Sequence, residues 1–231
     1  MGEAIIDITD LKFQWTKDKS FSFSIPKLLI EKGESVLLLG ESGSGKTTLL
    51  SLIGGFIPPI KGNINIKETN IGSLSAKQRD QFRADHIGVI FQQFNLLSYA
   101  KVIDNILLPL HFSKQRSQNV KNPITAAENL CSALRLPDRI KSMQANNVSV
   151  GQQQRVAVAR ALIGDPALII ADEPTSSLDA SAREIFMELM FLQIRQSAST
   201  LLMVSHDQSL AKKFEVNSSG PTLVFRNHLE S

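Results

Sequence analysis

A glycine-rich segment of the chain has the residue types and spacing of a phosphate-binding loop. It reads Gly40-Glu41-Ser42-Gly43-Ser44-Gly45-Lys46-Thr47, which matches G-x-x-x-x-G-K-[ST]. Glycines let backbone N–H groups curl around an anion, and the N-terminus of the following helix adds partial positive charge. We expect Lys46 to reach the β- and γ-phosphates of a nucleotide and the Thr47 hydroxyl to ligate Mg²⁺.

Two adjacent carboxylates, Asp172 and Glu173, follow the apolar run 167–171. An Asp at the end of such a strand supplies a carboxylate for Mg²⁺ in nucleoside triphosphatases generally, and open α/β sheets bind ligands at the carboxyl ends of their strands. We expect Asp172 to serve the metal and Glu173 to act on a water molecule. Taken without the phosphate loop, Asp-Glu-Pro would instead indicate an ordinary turn at the end of a strand.

Apolar strands that alternate with helices must position these two segments. Three continuous apolar runs are typical of strands buried on both faces: Ser35–Leu39, 167–171 and 200–204. Helical periodicity follows each of them, at 47–53, Ala180–Gln196 and 208–214. This alternation predicts an α/β fold with a mostly parallel sheet.

The two ends and the middle of the chain have different patterns. Residues 6–13 and 21–25 alternate like half-buried strands, with a hairpin turn expected at 17–19 and one more short strand at 222–225. From about residue 96 to 147 no strand pattern appears, and 102–110 and 124–136 look helical. We therefore predict one domain over 1–231, with an antiparallel β part near the N-terminus. Its α/β core would comprise 1–95 and 165–231, and a helical subdomain would be inserted at about 96–164.

Composition excludes several classes of protein. The 231 residues carry 25 Lys and Arg against 22 Asp and Glu, and a net charge of +3 is too weak a field to indicate a nucleic-acid partner. The lone Cys131, expected on an apolar helix face, excludes an internal disulfide framework. No apolar run approaches the ~20 residues of a membrane span, and the first residues lack the features of a signal peptide. We expect a soluble, cytoplasmic chain.

Two more segments complete a set of motifs in a familiar order. Val148-Ser149-Val150-Gly151-Gln152 precedes a helix expected at 156–163, and Ser205-His206-Asp207 follows the run 200–204. With the phosphate loop and the Asp-Glu pair, the chain resembles the nucleotide-binding subunit of an ATP-binding cassette (ABC) transporter, a P-loop ATPase, over nearly all its length. Phe91–Leu97 and 152–160 resemble the ATPases of lipoprotein-releasing and macrolide-exporter systems.

This resemblance implies ATP and Mg²⁺ as ligands and a role for each motif. It implies Glu173, His206 and Gln92 as catalytic residues, and Thr47, Gln92 and Asp172 as residues that serve Mg²⁺. The implied nucleotide-binding residues are Trp15, Gly40, Glu41, Ser42, Gly43, Ser44, Gly45, Lys46, Thr47, Thr48, Ser149, Gly151, Gln152 and Asp179.

Some of these residues have local alternatives. Trp15 could be only a strand aromatic, and Gln92 could be a polar loop residue. His206 could be only the neighbour of Asp207, with Asp207 capping the helix that follows. Arg155 is expected to support the signature helix.

One residue departs from the family pattern. The family signature usually reads Leu-Ser-Gly-Gly-Gln, and Val150 stands at the first glycine position. A β-branched residue resists positive φ, so the backbone at Val150 must be extended or helical. Close approach to the γ-phosphate would then depend on Ser149 and Gly151.

The resemblance also implies partners. Two chains would close around two ATP molecules as a homodimer, and a separate integral-membrane permease would hold the chain at the inner face of the cytoplasmic membrane. The apolar residues Phe94, Leu96, Leu97 and Tyr99 lie in an expected loop, where they either dock the permease or fill the boundary between core and helical subdomain. A non-transport ABC ATPase, a P-loop kinase and a nucleotide-binding module without turnover are the alternative functions.

Overall fold

A computed structural model describes residues 2–15, 21–217 and 222–224. The expected turn at 17–19 lies outside these residues. The strands are β1 (Ala4–Gln14), β2 (Ser22–Glu31), β3 (Ser35–Leu39), β4 (Lys61–Ile66), β5 (Thr69–Asn70), β6 (Ile87–Ile90), β7 (Leu168–Asp172), β8 (Thr200–Ser205) and β9 (Thr222–Val224). The helices are α1 (Lys46–Ile53), α2 (Ala76–His86), α3 (Val102–Phe112), α4 (Lys114–Gln118), α5 (Pro123–Ala133), α6 (Val150–Leu162), α7 (Ala180–Gln196) and α8 (Ala211–Asn217).

The chain divides into two compact units. One comprises Met1–Arg83 and Thr200–Ser231, and the other comprises Ala84–Ser199.

The first unit contains an antiparallel sheet and a group of parallel strands. The antiparallel sheet has the order β2-β1-β4-β5, which confirms the antiparallel β part expected near the N-terminus. Among the parallel strands of this unit, β3 lies between β8 and β9 and pairs with both. All five residues of β3 are buried, as its continuous apolar run predicts. Helix α1 follows β3 through the glycine-rich segment.

The second unit combines two parallel strands with helices. Strands β6 and β7 pair in parallel, with Ile87 opposite Leu168. Gly88 is required in β6 because a Cβ atom there would lie 2.3 Å from the carbonyl oxygen of Ala161 in α6. Cys131 is fully buried in α5, as expected, and burial raises the pKa of its thiol to about 11.

Several helix boundaries differ from prediction; α5, for example, ends at Ala133 and not at 136. The helix expected at 156–163 begins six residues earlier, at Val150. The helix expected at 208–214 starts as the 3₁₀ turn Gln208–Leu210 and continues as α8. The polar stretch 113–122 contains α4, in which Arg116 is buried.

Short local contacts explain why α4 forms in so polar a stretch. The Ser113 hydroxyl accepts a hydrogen bond from the Arg116 N–H and so caps the helix. The Arg116 guanidinium donates to the carbonyl oxygens of Ala161 and Ile163. Burial lowers its pKa to about 10, an effect that the nearby Asp165 and Asp85 oppose.

None of the helices in the described ranges is long and apolar enough to cross a membrane.

Candidate nucleotide site

The phosphate loop connects β3 to α1 and takes its shape from two glycines. Gly43 and Gly45 have φ values of 80° and 101°, which side chains rarely tolerate. Gly45 is the N-cap residue of α1, so the N-terminus of this helix lies at the loop. The sequence prediction of a strand, a loop and a helix is therefore confirmed at this position.

The Lys46 side chain is folded into the loop. It is only 6% exposed, and its ammonium donates to the carbonyl oxygens of Gly40 and Glu41, both at 2.7 Å. The lysine thereby holds its charge among the backbone groups of the loop. Glu41, Ser42 and Thr47 are exposed, and Thr48 is half-buried.

Ser44 provides a test of whether this loop fits phosphate. Its hydroxyl is buried, and no hydrogen-bond partner for it exists among the residues that the structure describes. Buried hydroxyls almost always have partners, and a phosphate oxygen is an acceptor of the right kind. Together with the buried ammonium and the helix N-terminus, this orphan donor shows that the loop fits a nucleoside phosphate.

A chain of aromatic rings lies between Trp15 and the loop. Trp15 packs edge-on against Phe13 with ring centroids 5.0 Å apart, and further ring contacts lead through Phe23 to Phe21. A Cβ atom on Gly45 would lie 2.6 Å from the Phe21 ring. Trp15 itself is 41% exposed, which suits an aromatic that stacks on a base. Phe21 is not one of the predicted site residues. The alternating pattern predicts a strand at this position, but it does not predict which residues the Phe21 ring contacts.

His206 directly follows β8 in the same unit. The backbone at this point is tied to the loop, since the Gly40 N–H donates to the Ser205 carbonyl at 3.2 Å. Asp207 accepts a hydrogen bond from the Ser209 N–H at 2.9 Å and so caps the 3₁₀ turn, as the alternative interpretation expected. The His206 side chain is exposed.

Asp172 and Glu173 belong to the second unit. Asp172 is the last residue of β7, and Glu173 follows with φ at 45°. A glutamate in the left-handed region costs free energy and is typical of functional sites. Both side chains are half-buried. Among the described residues no cluster of three or more Asp, Glu, His or Cys could hold a metal. Mg²⁺ usually keeps several waters and takes only one or two carboxylates together with substrate phosphates, so its binding does not require a larger acidic cluster.

The signature segment forms a capping box at the start of α6. The Ser149 hydroxyl accepts from the Gln152 N–H at 3.3 Å, and the Gln152 side chain accepts from the Ser149 N–H at 3.0 Å. Val150 is the first helical residue and is 51% exposed. The prediction that Val150 has an extended or helical backbone is therefore confirmed. A Cβ atom on Gly151 would contact nothing within 4 Å.

Asp179 and Gln92 also lie in the second unit. Asp179 is exposed and caps α7, because its carboxylate accepts from the Ala182 N–H at 2.8 Å. Gln92 is exposed in a turn after β6. Of the four apolar residues that follow, Phe94 is buried, which favours the packing alternative over the docking alternative for this residue. Leu96 and Leu97 are half-buried, and Tyr99 is 72% exposed.

Comparisons with known proteins identify the family of this chain. A model of the ABC transporter family matches residues 24–176. The chain belongs to the ABC transporter family. The lipoprotein-releasing system ATP-binding protein LolD of Zymomonas mobilis is 36% identical to it over 214 residues, which are 91% of this chain and 90% of LolD. The macrolide export ATP-binding/permease protein MacB of Rhodopirellula baltica is 41% identical over 80% of this chain, but over 27% of MacB.

A solved structure leads to the same family. The dimeric ATP-binding cassette MJ0796 in a post-hydrolysis state bound to ADP and phosphate aligns with a TM-score of 0.76 at 30% identity, over 90% of both chains. These comparisons confirm the predicted α/β P-loop fold. They also confirm the predicted class, an ATP-hydrolysing subunit of an ABC transporter.

Proposed function

We propose that this ABC transporter ATPase closes as a homodimer around two Mg²⁺–ATP molecules and thereby drives a separate membrane permease. The observation that carries the proposal is the phosphate loop, with the buried ammonium of Lys46 and the orphan hydroxyl of Ser44. Dimeric MJ0796 with ADP and phosphate supports both the dimer and the hydrolysis. A kinase would leave the signature, Gln92 and His206 without a role, and a nucleotide-binding module without turnover would leave Glu173 without one.

The proposed residues divide the work of ATP binding. In each chain the phosphate loop, residues 40–48, would bind the phosphates, and Trp15 would stack on adenine. Ser149, Gly151, Gln152 and Asp179 would contact the nucleotide that is bound mainly by the other chain. Because Ser149 and Gln152 are fixed by their mutual hydrogen bonds, the signature would present its N–H groups and the end of α6 in a fixed orientation.

The remaining proposed residues act on the metal and the water. Thr47, Gln92 and Asp172 would hold Mg²⁺, which neutralises phosphate charge when it is bound. Glu173 would take a proton from the attacking water as general base. His206, exposed after β8, would hold the γ-phosphate during hydrolysis.

Replacing the proposed base tests the dimer and the hydrolysis separately. Glutamine keeps the shape of Glu173 but cannot take a proton, so we expect Glu173→Gln to bind ATP and to accumulate as a dimer. Light scattering after size exclusion, with ATP and with ADP, measures the fraction of the chain that is dimeric. Glu188→Gln, which removes an exposed carboxylate from α7, is the control and should behave as the parent. A Glu173→Gln chain that stays monomeric with ATP and is as active as the parent contradicts the proposal.

The permease is proposed as a separate chain at the cytoplasmic membrane. LolD is named as an ATP-binding protein and matches over 90% of its length, whereas MacB, named as ATP-binding and permease, matches over 27%. The similarity to LolD, which is named as an ATP-binding protein, supports a permease on a separate chain. Through its permease it would lie at the inner face of the membrane.

Tyr99 is the residue we place at the permease contact, because it is 72% exposed in the segment that follows Gln92. We expect Tyr99→Asp to lose co-purification with an integral membrane protein from detergent-solubilised native membranes, and to keep the ATPase activity of the isolated chain. Ile124→Asp, at another exposed apolar residue, is the control and should keep the partner. Retention of the partner by Tyr99→Asp contradicts this placement.

A further inference from the structure

Arg160 of α6 holds the exit of the turn that contains Gln92. Its side chain is 8% exposed, and its guanidinium donates to the carbonyl oxygens of Phe94 at 2.5 Å and of Asn95 at 2.6 Å. In the described part of the chain no carboxylate forms an ion pair with it. Burial lowers its pKa to about 10. Burying a cation whose hydrogen bonds go to two loop carbonyls costs free energy. We therefore expect this arginine to have a function that offsets the cost.

The backbone that Arg160 holds is strained. Phe94 and Asn95 have φ values of 58° and 47°, in the left-handed region that costs a bulky residue such as Phe free energy. The Phe94 N–H donates to the Phe91 carbonyl at 3.0 Å, which closes the turn around Gln92. The guanidinium thus fixes a conformation that the local sequence does not favour.

A second side chain holds the other end of this segment. Asn105 of α3 is fully buried, accepts from the Leu97 N–H at 2.7 Å, and donates to the carbonyl oxygens of Leu97 and Lys101, both at 3.1 Å. Residues 94–101 are therefore tied to α6 at one end and to α3 at the other.

Helix α6 connects these contacts to the signature. Ser149 caps its first turn, and Arg160 lies eleven residues further on, a distance of roughly 16 Å along the helix axis. A helix is stiff over this length, so a displacement of the signature segment moves Arg160 and with it the carbonyls that Arg160 binds.

We propose that Arg160 is a positioning residue that couples the orientation of the signature helix to the placement of Gln92. The coupling rests on the proposed function, in which Gln92 serves Mg²⁺ and the signature contacts nucleotide. Arg160 acts only through the loop carbonyls.

Arg116 offers a matched control in the same unit. Its guanidinium is also buried, also donates to two backbone carbonyls, and has its pKa lowered to about 10. Its partners, however, are Ala161 and Ile163 at the end of α6 rather than residues near Gln92. Loss of either arginine should destabilise the fold, but only loss of Arg160 should release the Gln92 turn.

The test combines hydrogen exchange with Mg²⁺ titration. Arg160→Met replaces the buried cation by an apolar side chain of similar length, and Arg160→Lys keeps the charge should the Met variant fail to fold. We expect faster amide exchange in residues 91–97 and an Mg²⁺ half-saturation of ATP hydrolysis that is about tenfold higher, as loss of charge-assisted hydrogen bonds predicts. Arg116→Met should lower the melting temperature without either change.

A double-mutant cycle separates positioning from general destabilisation. Gln92→Ala should also raise the Mg²⁺ half-saturation, and Arg160→Met with Gln92→Ala should be no worse than Gln92→Ala alone, because both remove the same function. Additive losses, or equal effects of Arg116→Met, would overturn the coupling. An Mg²⁺ half-saturation that Gln92→Ala leaves unchanged would instead show that the proposed role of Gln92 fails.

Discussion

Gly45 shows how strictly a single residue can be determined at the candidate site. Its φ of 101° belongs to the region that glycine alone occupies easily, and the Phe21 ring fills the space where its Cβ would lie. The same residue is the N-cap of α1, and the N-terminus of a helix favours an anion. Shape and function therefore depend on the absence of one side chain.

A pair of glycine variants tests this dependence. We expect Gly45→Ala to lower the free energy of unfolding by about 1–3 kcal/mol, because it combines backbone strain with a clash against Phe21. It should also weaken ATP binding, measured by titration calorimetry. Gly151→Ala is the matched control for stability, since its Cβ meets open space in a helix. Alanine there should leave stability unchanged or raise it by at most about 1 kcal/mol. Equal denaturation midpoints for the two variants contradict this account.

At the scale of elements, continuous apolar runs predicted best. The predicted bounds are correct to within one residue for β3, β7, β8 and α7. Burial on both faces leaves a clear apolar run in each strand. Helix α2 has no buried residue, so it has no apolar periodicity by which sequence reasoning could find it. Strand β6 is only four residues long, too short for a pattern.

The start of α6 shows how a local contact overrides propensity. Val150 and Gly151 are poor helix formers, which favours a helix that begins only at 156. The capping box of Ser149 and Gln152 extends the helix to Val150. A serine three residues before a glutamine is a known cap signal, so this boundary could have been found from the sequence. The family resemblance implies only a role in nucleotide binding for Ser149 and Gln152.

The candidate site was predictable wherever a motif is contiguous in sequence. The phosphate loop follows β3, and Asp172 and Glu173 lie at the end of β7, as the spacing indicated. Arg160 could not be found in this way, because its partners are backbone carbonyls 65 and 66 residues away that leave no trace in residue type. Contacts of side chains with distant backbone become visible only in the fold.

For the whole molecule, the proposed residues are distributed over two units. The unit with β3 carries Trp15, the phosphate loop and His206, whereas the other unit carries Gln92, the signature, the two carboxylates and Asp179. Neither unit alone has the full set of residues that the proposed ATP hydrolysis requires. The proposed dimer adds the signature of a second chain.

The most direct test of the account is phosphate release by the purified chain with Mg²⁺ and ATP, compared with Lys46→Ala. The ammonium of Lys46 is proposed to act on the phosphates, while Gly43 and Gly45 give the loop its positive-φ backbone. The parent should therefore release phosphate continuously, and Lys46→Ala should lose about 10²–10³-fold of that rate with an unchanged circular dichroism spectrum. An unchanged rate of phosphate release in a folded Lys46→Ala chain would contradict the account.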